Sequence, residues 1–132
     1  MYQALNYFFF FFHSILIVFN TFGWIWRRTR RWNLATLLLT AFSWFVLGVK
    51  YGWGFCVCTD WHWMIREKLG YHDMPNSYVQ FLLAKITGKN FQGEMVDNAV
   101  VIIFLSSLIL SVYLNIRDRK KKKLLREEQL SR

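Results

Sequence analysis

Within thirteen residues, the run YGWGFCVCTDWHW (Tyr51–Trp63) brings together Cys56, Cys58, Asp60 and His62, and His72 follows ten residues after His62, with Met64 and Met74 close by. Thiolates and imidazoles are ligands for soft and borderline metals, and thiols outside a reducing cytoplasm are open to redox chemistry. Cys56, Cys58, His62 and His72 are therefore the candidate metal or redox residues. The spacing argues against a standard structural zinc site, whose paired cysteines are separated by two to four residues. A disulfide between residues i and i+2 would be strained, although strained disulfides are often the reactive ones. The plainer account of Cys56 and Cys58 is two small apolar side chains at the end of a helix. No nucleophile–base pair, phosphate loop or paired carboxylate stands out, so no catalytic residue is assigned.

A second chemical group lies earlier. His13 follows five consecutive phenylalanines in an uncharged stretch, and an ionisable group inside a membrane segment is a functional candidate by default. Haem ligation, proton relay and contact with a quinone are its functional readings. Its structural reading is a neutral imidazole hydrogen-bonded to a serine or threonine of another helix. No second histidine stands at matching depth in another apolar run, which disfavours a haem held by two histidines of one chain.

The elements that must position these groups follow from composition. At 132 residues, 55% apolar and 20% aromatic, the chain is one domain carrying more apolar side chain than so small a soluble interior can bury. A bilayer crossing takes about 20 residues. Three runs qualify, at about 4–26, 34–53 and 98–116, with an outer segment at 55–97 and a basic tail at 117–132. The first has no basic n-region and ends in tryptophans, so it reads as a retained helix and not as a cleaved signal peptide. The sequence therefore predicts an all-α membrane protein, with three transmembrane helices and one or two short interfacial helices between the second and third.

Charge sets the expected orientation. The net charge is +9, and it is unevenly placed. Arg27, Arg28, Arg30 and Arg31 crowd the first turn without an acid. The tail carries eight basic residues, among them Lys120, Lys121, Lys122 and Lys123, against three acids. The outer segment holds four basic and five acidic residues. Basic loops stay cytoplasmic, so the N-terminus is expected outside and the C-terminus inside, which in a bacterial cell means the inner (cytoplasmic) membrane. These eight arginines and lysines are the expected contacts to lipid headgroups, worth about 1 kcal/mol each near an anionic surface. A basic run beside a membrane span favours phospholipid over nucleic acid, and no nucleic-acid partner is expected.

Each span also carries a polar stripe at helical spacing. His13, Asn20 and Gly23 mark the first, Thr36, Thr40 and Ser43 the second, and Ser107, Ser111 and Asn115 the third. Small and hydrogen-bonding residues on one face mark helix contacts in lipid, so the stripes are expected to face one another or a partner's helix. In the outer segment, TDWHWMIREKLG reads as a short helix with Trp61, Met64, Ile65 and Leu69 turned to the membrane. YVQFLLAKITG reads as a second, with Pro75 between them.

His13, Phe19 and Gly23, then RRTRRW, then Cys56, Thr59 and Arg66 follow a recognisable order. The chain resembles a group of small bacterial membrane proteins classed as a domain of unknown function. Their pattern has an early histidine, an Arg/Trp-rich turn and Cys-Pro-Leu-Thr-Pro-Leu-Glu-Asn-x-x-Arg. Here Val57 and Cys58 replace the proline and leucine, His62 replaces the glutamate, and Lys50 stands where an acid precedes the motif. The resemblance supports the three-helix topology. The expected role is a non-catalytic accessory or structural subunit of a larger respiratory, transport or secretion complex, with other membrane subunits as partners, bound lipid and no assigned cofactor. The alternatives are a small redox- or metal-handling protein using Cys56, Cys58 and His62, and a quinone- or lipid-binding protein built around His13 and Trp44.

Overall fold

The computed structural model describes residues Met1–Arg132 and is entirely helical apart from its connections. The elements are α1 (Tyr2–Phe22), α2 (Arg30–Phe42), a π-turn (Ser43–Leu47), α3 (Gly48–Tyr51), α4 (Val57–Lys68), α5 (Tyr78–Thr87) and α6 (Gly93–Leu130). Three helices are long and apolar enough to cross a membrane: Tyr2–Phe22, the continuous rod Arg30–Tyr51, and Gly93–Leu130. At 1.5 Å per residue, α1 is about 31 Å long, close to the hydrocarbon thickness of a bilayer.

The interior is polar and the exterior apolar. The buried side chains include nine polar or charged ones but only four apolar ones, Leu37, Tyr78, Val96 and Phe104. Phe8, Phe11, Ile15, Leu39, Ile102 and Ile109 lie open on the outside of the bundle. Lipid tails are as apolar as leucine, so hydrogen bonds and close backbone packing hold such helices together.

The stripes supply those bonds. Asn20 donates to Thr40 Oγ1 across α1 and α2 at 3.0 Å. Asn33, fully buried, donates to the carbonyls of Phe19 and Asn20 at 2.7 and 3.3 Å. On α6, Ser107 donates to Thr21 O at 3.4 Å and Asn115 to Arg30 O at 3.0 Å. Gly23 lies in this seam. A Cβ there would stand 2.9 Å from Asn33 Nδ2 and 2.5 Å from Phe19 O, too close for either to stay in place.

Arg30 departs from the headgroup role expected of it. It is buried, donates through Nε to Trp24 O at 2.9 Å, and pairs with Asp118 Oδ2 on α6 at 2.7 Å. One side chain thus ties the first turn to the third span. Arg30→Ala should lower the thermal unfolding temperature in detergent more than Asp118→Ala does, because only the arginine also satisfies a carbonyl of the turn. Equal shifts would mean that the ion pair alone matters.

The tail, expected to meet lipid headgroups, continues α6 as helix to Leu130. Residues 117–130 contain neither Gly nor Pro and are mostly Lys, Arg, Leu and Glu, all good helix formers. A Lys123–Glu127 pair at 3.8 Å stands one turn apart on this extension.

The second span, expected at about 34–53, is one continuous helical rod that passes through a π-turn at Ser43–Leu47 and ends at Tyr51. Ser43 Oγ donates to Phe55 O at 2.9 Å. Gly52 (φ +112°) and Gly54 (φ +80°) adopt backbone conformations that side chains with a Cβ rarely take. They turn the chain back against the bundle, where α4 begins.

Candidate functional site

The start of α4 lies beside the middle of α1. Cys56, whose extended backbone caps α4, places its Sγ 3.7 Å from His13 Nε2. Six residues on, His62 Nε2 meets Asn6 Oδ1 at 2.9 Å. These two contacts run α4 antiparallel along the N-terminal half of α1. Irregular backbone at membrane depth is tolerated where it is buried in protein or lines a cavity, and the Tyr51–Phe55 connection does line one.

Two elements besides its own helix, α5 and the start of α4, hold His13. Its ring stacks on Tyr78 of α5, with centroids 4.0 Å apart. Tyr78 Oη donates to Phe10 O at 2.9 Å and lies 3.2 Å from Ser14 Oγ. The imidazole is therefore fixed between the tyrosine ring and the thiol, with Nε2 on Cys56 and Nδ1 buried without a partner. The neighbouring Cys58 thiol, His13 and the Thr59 N–H together hold the Cys56 thiol far below the ordinary thiol range, against the opposing effect of burial. Cys58 is driven the other way by Cys56 and by burial.

Beside this pair opens a cavity of about 930 Å³. Leu16, Ile17, Leu37, Trp44, Val100 and Phe104 bring apolar surface from all three spans, and Trp44 packs on Phe104 at 4.6 Å between centroids. Polar groups enter from His13, Asn20, Thr40, Cys56, Asp60 and Asp97. Asn20 Oδ1 and His13 Nδ1, both on cavity-lining residues, are buried with no hydrogen-bond partner.

The structure divides the residues singled out by sequence. Cys56 joins His13, a pairing across 43 positions that local spacing does not reveal. Both belong to the pattern of early histidine and later cysteine, the one signal in the sequence that links them. His62 goes instead to Asn6, and His72 lies exposed on the connection before α5. No three His, Cys, Asp or Glu side chains gather into a metal-ligand set. Both cysteines are free thiols.

The reading of α4 as an apolar face turned to lipid holds for Trp61 and Met64, each about half exposed. Its other face carries His62 and Arg66 one turn apart, both buried. Arg66 has no carboxylate partner and lies over the rings of Tyr71 and Phe81, at 4.3 and 4.6 Å. Burial first, then the charge of Arg66, pushes His62 down to about 4. His62 is thus neutral when folded. Because its folded value lies below the ordinary 6.5, its contribution to stability is complete above pH 6.5 and declines as pH falls toward 4. Thermal unfolding in detergent should therefore drop over that range in the native chain and drop less in His62→Gln. Parallel curves would remove His62 as the cause.

Together these features define an all-helical membrane protein with a cavity between its spans and a thiol–imidazole pair in the cavity wall. A family profile described as a protein of unknown function, DUF2784, matches residues 3–116, and the chain belongs to that family. No characterised protein and no solved structure matches it.

Proposed function

We propose that the chain is a non-catalytic membrane subunit that holds an amphipathic ligand of the lipid or quinone class in the cavity between its spans. The cavity, with apolar walls from all three spans and polar residues at His13, Asn20 and Cys56, carries this reading. Its volume falls within the range of about 300–1,000 Å³ usual for small-molecule sites, which combine apolar walls with a few placed polar groups. The ligand's polar end meets His13, Asn20 and Cys56, while its apolar part lies on Trp44 and Phe104. The distribution of basic residues supports a bacterial cytoplasmic membrane with the N-terminus outside.

The test is the content of the native particle. Protein expressed at native level and extracted in mild detergent is analysed by native mass spectrometry, and bound molecules are identified after organic extraction. A lipid or quinone retained in fixed ratio supports the reading. A particle that carries larger subunits in fixed ratio but no such ligand leaves the chain as an accessory subunit only.

A further inference from the structure

We propose a second, separate binding site: the cleft between the α1–α2 turn and the extension of α6 past the membrane holds the headgroup of an anionic lipid that bears two phosphates. The cleft has a volume of about 630 Å³. One wall is the turn, with Arg27, Arg28 and Arg31. The other is α6, where Arg119, Lys122 and Leu125 fall at helical spacing on one face, with Lys121 alongside. This wall exists because α6 remains helical beyond the span.

Charge decides what the cleft takes. Asp118 is its sole acid, and the 2.7 Å contact with Arg30 engages it. Arg27, Arg28, Arg31, Arg119, Lys121 and Lys122 form no ion pair. Six cations held together repel one another, and they exceed what a single phosphodiester neutralises. Guanidinium groups match phosphate oxygens with paired hydrogen bonds. The Arg30–Asp118 pair and Asn115 make the floor rigid, since Asn115 donates to both Arg30 O and Ser111 O.

Depth decides that the phosphate belongs to a lipid. Trp26 and Trp32 flank the turn and are largely exposed, and tryptophan settles at the headgroup level of a bilayer. Basic pockets between helices on the cytoplasmic side are established settings for such headgroups. This site does not depend on the ligand proposed for the outer cavity.

The test uses the full chain in nanodiscs of phosphatidylcholine containing a small fraction of diphosphatidylglycerol or phosphatidylglycerol. Lipid retained on release into the gas phase is counted by native mass spectrometry. The native chain should keep one diphosphatidylglycerol, with at least tenfold preference over phosphatidylglycerol. Arg27→Gln/Arg28→Gln/Arg31→Gln should lose that preference. Arg119→Gln/Lys122→Gln, on the opposite wall, should lose it as well, so that misfolding of one variant does not decide the result. Arg117→Gln/Arg126→Gln/Arg132→Gln removes the same charge as the turn triple but lies outside the cleft, and should change retention less than twofold. Equal losses from the two triples would overturn the site in favour of general surface charge. Displacement of the lipid by inorganic pyrophosphate at equal concentration would overturn its assignment to a lipid.

Discussion

Alkylation of Cys56 by a membrane-permeant maleimide is expected to slow far less between pH 7.5 and pH 5.5 than that of an ordinary thiol. An ordinary thiol, whose thiolate fraction falls tenfold per unit below its pKa near 8.5, would slow by about 100-fold over the same range. The direction follows from the groups around Cys56. Cys58, His13 and the Thr59 N–H favour its thiolate, so acidification leaves the reactive form populated. The absolute rate need not be high, because nucleophilicity falls as the thiol pKa falls, and the pH profile is therefore the informative readout. Cys58 should hardly react at either pH, since Cys56 and burial keep its proton in place. Cys58→Ala and His13→Ala should each restore a slope. Peptide mapping of the labelled chain assigns the site. A steep slope in the native chain would show that burial outweighs the surrounding donors.

The second large effect concerns the cavity. Val100→Trp puts an indole into the cavity that Trp44 and Phe104 also line and should reduce retention of the co-purifying ligand at least tenfold. Ile109→Trp makes a comparable change on the same helix at a position that is 67% exposed, where it meets lipid tails, and should leave retention unchanged. Both chains should keep the same helical content and elute as the native particle. If Val100→Trp retained a full complement of ligand, the molecule would lie elsewhere and the cavity reading would fail. His13→Phe offers a gentler test. It keeps a ring against Tyr78 but removes both nitrogens, so it should weaken retention of a ligand with a polar end while the bundle stays assembled.

The positions of the spans, their number and the crowding of basic residues at one end were legible in the chain. Each depends on local composition: about twenty uncharged residues cross a bilayer whatever they pack against. The polar stripes were legible for the same reason, because 3.6-residue periodicity places His13 and Asn20, or Ser107 and Ser111, on one helical face before any partner is known. Two boundaries were less legible. The π-turn at Ser43–Leu47 begins at Ser43, whose side chain bonds Phe55 O, a contact outside its own helix. The helical tail was hidden because a charge run reads equally as coil or as helix, and its composition favours helix only once α6 supplies a nucleus.

The candidate site divides along the same line. Sequence by itself identified Cys56, Cys58, His62 and His13 as chemically able groups, because residue type sets proton affinity, softness and nucleophilicity. It grouped the cysteines with His62 and His72, since proximity along a chain is the only proximity a sequence displays. Tertiary structure alone decided the partners. The reversal at Gly52 and Gly54 lays α4 along α1, carries Cys56 to His13, turns His62 and Arg66 inward, and leaves His72 outside. The same holds at the other end, where folding buries Arg30 against Asp118 and frees its neighbours to form a cleft. Which groups touch is set by helix crossings and chain reversals, which depend on long-range packing and hydrogen bonds that no local pattern encodes.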